Sequence, residues 1–273
     1  MRIAALALLC CLGLALTPGC RKVEGTDRTQ LVLTSESYEN SLGLQSYQEV
    51  LKTEKRSRDP DLNALVERVG TRIAAVAPDR GFTYEFVVLE SPTANAFCLP
   101  GGKVAFYTGI LKYMENEAQL AAVMGHEIAH AIARHGGERM SQQIVVQGVA
   151  TGIDVALKAK GVEPTRANIA MAAFGAGAQI GVLLPFSRTH ESEADELGLM
   201  YMAKAGYDPQ EAVKFWQSFG QSGGGAPPEF LSTHPSGDTR VKALQKLQGK
   251  ALPLYEQSPK HGVGEAIPAR YRK

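Results

Sequence analysis

Residues 116–135 read NEAQLAAVMGHEIAHAIARH, and at their centre stands His126-Glu127-Ile128-Ala129-His130. As a helix, this stretch sets His126 and His130 one turn apart on the same face. Both imidazoles then reach a single metal ion, and Glu127, about 100° round the helix, stands beside it. H-E-x-x-H at this spacing supplies two nitrogen ligands for zinc and a carboxylate that takes a proton from water at the metal. The surroundings agree. Ala118, Leu120, Ala121, Ala122, Val123, Ile128, Ala129, Ala131, Ile132 and Ala133 make an alanine-rich helix that can be buried on most sides. Such a helix has little reason to turn two His and a Glu inward unless they bind something; satisfied core histidines are the alternative.

The chain has 273 residues, enough for one substantial domain or two small ones. Hydrophobic residues make up 44% and charged residues 21%, as in an ordinary globular protein. With 29 basic against 28 acidic residues, no excess charge points to nucleic acid or another polyanion. At the N-terminus, Arg2 precedes an uncharged apolar run, Ile3 to Leu16, too short to span a membrane comfortably. Thr17-Pro18-Gly19-Cys20 follows. A small residue before a cysteine resembles a bacterial lipobox, although Thr17 stands where Leu is usual; an ordinary export signal or an uncleaved anchor is the alternative.

On the lipobox reading, residues 1–19 are a signal peptide, Cys20 is lipidated, and residues 20–34 form a polar tether to a membrane. Cys10 and Cys11 leave with the signal, so Cys98 is the one thiol in the body and no internal disulfide can form. A buried small hydrophobe is the expected role of Cys98, ahead of a redox nucleophile.

The body, residues 35–250, reads as α+β and mostly helical. Ser35 to Lys55 has Leu42, Leu44, Tyr47, Val50 and Leu51 spaced for one buried face, and Asp61 to Ala77 repeats the pattern after the Asp59-Pro60 break. Phe82 to Leu89 is rich in β-branched and aromatic residues and reads as a strand. Asn95 to Leu99 and Lys103 to Tyr107 alternate as half-buried strands about Pro100-Gly101-Gly102, which suits a type II turn. The result is a small sheet of about three strands leading into the HExxH helix. Its edge, at Asn95, Ala96 and Phe97, can pair with an extended substrate through main-chain hydrogen bonds; a core hairpin without that role is equally open.

Beyond His135, two Ala/Gly-rich segments, Ser141 to Lys158 and Thr165 to Leu184, read as packed or lid-forming helices over the cleft. The second lacks charge from Ala167 to Ser187, which raises a membrane span, but Asn168, Gln179, Pro185 and the excess of Ala and Gly over Leu speak against it. Ser187 to Gly206 and Asp208 to Gln221 are further helices, the latter capped by Asp208 with Pro209 behind it. A glycine-rich loop, 223–228, leads to Thr233-His234-Pro235. Asp238 to Lys250 closes the fold, and residues 251–273 are expected as a loosely ordered tail.

Two histidines leave a zinc site incomplete. Glu191 and Asp195, four apart on one helix, are the candidates for a third ligand and for an acceptor of the free ring N–H of a ligand histidine; three exposed helix acids, Glu193 included, are the alternative. Glu193 is expected to point elsewhere as a solvated charge, and His135 and His190 fall off the ligand faces. H-E-x-x-H followed about 60 residues later by E-x-x-x-D resembles the gluzincin-type zinc peptidases related to the heat-shock protease HtpX and the CAAX prenyl protease. Asn95 to Leu111, Ser187-Arg188 and Thr233-His234-Pro235 with Arg240 share in the likeness, which runs from about Gln45 to Leu247. With the lipobox, the chain resembles the soluble periplasmic lipoprotein branch that includes LoiP and BepA.

That resemblance implies Zn2+ held by His126, His130 and Glu191, with Glu127 as general base and acid in the hydrolysis of peptide bonds in polypeptide substrates. It implies quality control of misfolded or unassembled envelope proteins, at the periplasmic face of a membrane, the outer one by preference. His234 is the candidate for a second donor to the oxyanion, with Arg240 near it; alternatively His234 ligates the metal at rest and blocks it. A chaperone-like lipoprotein that only holds client chains is the competing function, though it has no need of Glu127. A structural zinc site would favour four protein ligands and cysteines. Oligomeric state is not legible.

Overall fold

The computed structural model describes residues 19–221, 230, 234 and 238–272. The signal segment up to residue 18 and the glycine-rich loop 223–228 lie outside the described residues. Strands β1 (Cys20–Lys22) and β2 (Thr29–Leu31) come first, then helices α1 (Glu36–Thr53) and α2 (Pro60–Val76). Strands β3 (Glu85–Leu89), β4 (Ala96–Leu99) and β5 (Lys103–Tyr107) precede α3 (Glu117–Ile132), the HExxH helix. Helices α4 (His135–Ala159), α5 (Pro164–Ala178), α6 (Leu184–Lys204), α7 (Gln210–Gln221) and α8 (Asp238–Glu256) follow. The class is α+β and mostly helical, as expected, with a three-stranded and a two-stranded sheet among the described residues.

The three-stranded sheet has the order β3-β5-β4, with β5 parallel to β3 and antiparallel to β4. Central β5 is buried at every residue. Gly101 at φ +86° takes the left-handed position that a type II turn demands, and Gly102 N–H closes the turn on Leu99 O at 3.1 Å. β4 is therefore an edge strand, and it packs against α3. α2 starts where Asp59 accepts from Asp61 N–H and Leu62 N–H, with Pro60 in the first turn. It buries Leu62, Leu65, Val66, Val69 and Ile73 as its spacing predicts, each side chain contributing about 1.5–3 kcal/mol. α1 departs from expectation: Glu39, Gly43 and Tyr47 form its buried face, while Leu44 is exposed.

α3 and α6 pack along each other through a crossing of two glycines. A Cβ on Gly125 would lie 2.7 Å from Gly198 O, and one on Gly198 would lie 2.6 Å from His126 N. The backbones touch there, which fixes how the His126 face of α3 meets the Glu191 face of α6.

Three expectations need correction. Residues 20–34 are not a free tether: β1 pairs with β2, and Val23, Gln30 and Val32 are buried. Arg28 turns inward and bonds Glu193 and Glu138, while Arg21, Lys22, Glu24 and Asp27 stay exposed. The tail is also packed. α8 continues through Pro253 to Glu256, Ile267 is buried, and Glu265 O accepts from Glu117 N–H at the start of α3. Lastly, α4 starts at His135 and forms with α5 an arm that leaves Ile144, Val149, Val155 and Ile169 exposed, so the pair is less packed than the sequence suggests. No helix among the described residues is long and apolar enough to cross a membrane.

Candidate active site

Nearly all of α3 is buried, and its N-terminus is capped by the Asn116 side chain, which accepts from Gln119 N–H at 3.0 Å. His126 and Glu127 are fully inside; His130 keeps a little exposure. α6 brings Glu191 and Asp195, one turn apart, against this face. His234, of the segment ahead of α8, completes a group of four whose donor atoms all lie within 4.8 Å of one another.

The distances are specific. His126 Nε2 is 3.1 Å from His130 Nε2, 3.1 Å from His234 Nδ1 and 3.3 Å from Glu191 Oε2. His130 Nε2 is 3.3 Å from Glu191 Oε1, and His234 Nδ1 is 3.0 Å from Glu191 Oε2. Ligands at about 2.0–2.1 Å from a tetrahedral zinc ion stand about 3.3 Å apart, so the donor set fits such an ion. The outward ring atoms agree: Asp195 Oδ1 is 2.9 Å from His126 Nδ1 and 2.6 Å from Arg240 Nη2. Hydrogen bonded on that side, His126 turns Nε2 inward, as a metal ligand does.

Electrostatics favour positive charge at the centre of this group. Burial opposes ionisation of Glu191, but hydrogen bonds from His126, His130 and His234 outweigh it and hold its pKa far below the carboxylate range. Burial drives the His130 pKa well below 6.5, so its ring is neutral and offers a lone pair. Burial and Arg240 disfavour an imidazolium at His126, yet Asp195 and Glu191 raise its pKa to about 9. A proton and a metal ion compete for that nitrogen.

Glu127 stands apart from the ligands. Its Oε1 is buried without a hydrogen-bond partner among the described residues, 3.6 Å from His234 Nε2. Burial raises its pKa, which His234 and His126 partly offset. A buried, unpartnered acceptor beside a cation site is costly unless a donor visits it, and a water molecule is the obvious visitor.

Arg240 lies with its guanidinium 3.4 Å over the Trp216 ring, and Trp216 also packs against His126. The edge strand lies close: Phe230 N–H donates to Ala94 O at 3.0 Å, just before Asn95, Ala96 and Phe97, and the Phe230 ring packs on His234. Burial, with Glu127 in second place, pushes the Cys98 thiol up and leaves it an inert side chain.

The sequence reading missed three residues. Glu193 is buried, not solvated, and bonds Arg28 and His135. His135 Nδ1 is 2.8 Å from His130 Nδ1, and the His190 ring stacks on His135 at 4.3 Å. Between α3 and α4 stands Arg134, the one non-glycine residue at positive φ among the described residues. The spacing His130-x4-His135 is the signal that could have raised the question.

The sequence pattern of Peptidase family M48 matches residues 56–248. The chain belongs to that family. It is 38% identical over 189 residues to "Mitochondrial metalloendopeptidase OMA1" of Arabidopsis thaliana, covering 67% of this chain and 36% of the relative. To the yeast (Saccharomyces cerevisiae) protein of the same name it is 30% identical over 263 residues, or 89% of this chain and 73% of the relative. To "Beta-barrel assembly-enhancing protease" of Escherichia coli K12 it is 28% identical over 207 residues, covering 73% and 42%. The chain thus spans between about a third and three quarters of the length of these relatives.

Proposed function

We propose that this M48 peptidase is a zinc-dependent endopeptidase in which His126, His130 and Glu191 hold the metal and Glu127 moves the proton. The observation that carries the reading is the set of converging donors beside the unpartnered Glu127 Oε1. A bound zinc ion would polarise the scissile carbonyl and make a water molecule acidic near neutral pH. Glu127, raised in pKa by burial, accepts the proton from that water and returns it to the leaving amine. Asp195, held by Arg240, fixes the His126 ring, and β4 offers its free edge to an extended polypeptide.

His234 acts as a resting block, the second of the two roles open to it. Catalytic zinc sites keep one position for water or substrate, and here a fourth protein donor stands at ligand distance. The same segment occupies Ala94 O at the start of the edge strand through Phe230 N–H, so a substrate displaces both contacts together. The substrates are unassembled or misfolded envelope proteins, in keeping with the β-barrel assembly named for one set of relatives. Cys20 is the point of lipid attachment to a membrane. It is exposed, and it borders a groove of about 690 Å3 lined by Leu31, Val145, Val149, Phe174 and Ala178. Mass analysis of the mature N-terminal peptide tests the anchor: a lipid adduct on Cys20 is expected, and an unmodified N-terminus contradicts it.

The function itself is tested by bound zinc and casein cleavage in wild type, Glu127→Gln and Glu191→Ala. Glu127→Gln is expected to keep zinc and lose cleavage, and Glu191→Ala to bind zinc weakly. Unchanged cleavage in Glu127→Gln would overturn the assignment, and would favour neither this mechanism nor a client-holding role.

A further inference from the structure

A second buried polar group lies behind His130, on the side away from the four donors. Its members come from three places: Arg28 and Thr26 of the β1–β2 turn, His135 and Glu138 of α4, and His190 and Glu193 of α6. The contacts form a chain with one direction. For His130 to turn the Nε2 lone pair toward the donor group, the proton of its neutral ring must sit on Nδ1. His135 Nδ1, 2.8 Å away, then has to accept it. That leaves the His135 proton on Nε2, where Glu193 Oε2 accepts at 2.9 Å. Glu193 in turn receives Arg28 Nη2 at 2.7 Å, Arg28 Nε at 3.0 Å and Thr26 Oγ1 at 2.8 Å. From His130 to Arg28 each donor in this chain meets an acceptor; His190 Nδ1, beside it, is buried without a hydrogen bond among the described residues.

Two further contacts hold the ring of His135 in place. His190 stacks on it at 4.3 Å and 15°, and is itself fixed by Nε2 to Glu138 Oε2 at 2.9 Å. Arg28 spans the pair of carboxylates, with Nη1 2.9 Å from Glu138 Oε1. The group is not a second metal site: the guanidinium already supplies the positive charge between Glu138 and Glu193. Backbone placement depends on Arg134 at φ +57°, a conformation that disfavours most residues. Its buried guanidinium is gripped by Glu39 at 2.7 and 3.0 Å and by Thr34 O at 2.8 Å. Arg28, Thr34 and Glu39 all precede residue 56, where the family match begins.

We infer that His135 is a positioning residue for the metal ligand His130, and that the N-terminal segment of residues 19–55 completes the metal centre by anchoring it through Arg28–Glu193 and Glu39–Arg134. The inference rests on the zinc-site reading above. It makes the two ligand histidines alike in support: His126 leans on Asp195 and Arg240, His130 on His135, Glu193 and Arg28. Losing such an outer partner typically weakens metal binding about 10–100-fold.

The test is zinc affinity of the full chain by competition with a chromophoric chelator, together with the visible spectrum of the cobalt-substituted protein. His135→Leu removes the acceptor for His130 Nδ1 and is expected to weaken zinc about 10–100-fold and alter the cobalt bands. His135→Asn keeps a side-chain oxygen as acceptor and is expected to recover part of the loss. Arg28→Gln, at a half-buried position, is expected to weaken zinc several-fold, while Arg270→Gln, which breaks a distant ion pair with Asp59, leaves it unchanged. Folded His135→Leu and Arg28→Gln with wild-type affinity and cobalt spectrum would overturn the inference. Wild type without measurable zinc binding would instead overturn the metal reading beneath it.

Discussion

Glu127 and Glu191 are both acidic, both buried and both beside His234, yet they are set up for opposite tasks. Glu191 is surrounded by three imidazoles that keep it ionised, as a ligand must be. Glu127 Oε1 has no hydrogen bond among the described residues, with His234 Nε2 3.6 Å away, and burial raises its affinity for a proton, as a general base requires. Glu127→Gln keeps the shape and removes the base, so cleavage should fall about 10²–10⁴-fold with zinc content unchanged, as measured by casein turnover and metal analysis. His234→Ala separates its two possible roles: a resting block predicts faster cleavage on removal, an oxyanion donor predicts slower. The four-donor geometry leads to the first, and a rate assay at saturating zinc decides it.

At this scale the sequence was most informative where one helix carried the whole pattern. His126, Glu127 and His130 follow from a single 3.6-residue period, and Glu191 with Asp195 from another. Glu193 shows the limit. Two residues from Glu191, it lies on the far side of α6, which is solvent only if nothing covers it. The β1–β2 turn and α4 do cover it, and that is tertiary information. His135 depended on a left-handed arginine, for which no local residue preference gives warning.

Among the elements, the crossing of α3 and α6 governs the site. Gly125 and Gly198 let the backbones meet, and any side chain there forces the helices apart. Gly198→Ala should destabilise the fold by about 1–3 kcal/mol through overpacking. It should also weaken zinc binding, because Glu191 rides on the same helix. Chemical denaturation and zinc titration of the variant check both, and normal zinc affinity would detach the glycine contact from the site. The three-stranded sheet was legible from alternation and the Pro-Gly-Gly turn. Its order was not, because β3 reaches β5 in parallel across a connection that holds β4, and alternation carries no information on strand neighbours.

Two segments flanking the helical body, residues 20–31 and 257–272, tie it together. The N-terminal hairpin reaches behind the ligands, and the C-terminal segment returns to α2, where Arg270 and Tyr271 bond Asp59. Both looked like linkers, residues 20–34 because they are polar and the tail because it is Pro/Gly-punctuated, whereas their contacts are made by individual charged and aromatic side chains.

The Tyr271 hydrogen bond, opposed by slight burial and aided by Arg270, lowers the Asp59 pKa to about 2, against about 3.9 for an unfolded aspartate. A lowered folded-state pKa gives stability that is complete above about pH 4 and is lost as pH falls through about 2. Asp59→Asn should therefore lower stability at neutral pH and flatten the acid side of the curve, which thermal unfolding from pH 2 to 7 reads directly. On the zinc-site proposal, a metal that binds only the folded chain would stabilise it by about 4 kcal/mol at a thousand times Kd. Chelation should lower Tm accordingly.

The central claim is that His126, His130, Glu191 and His234 hold one zinc ion at rest, with no sulfur among its ligands. X-ray absorption at the zinc edge measures that shell directly in the purified full chain. The account predicts four nitrogen or oxygen neighbours at about 2.0–2.1 Å, with three imidazole signatures that fall to two in His234→Ala. A sulfur neighbour, or an imidazole count that His234→Ala leaves unchanged, would contradict it.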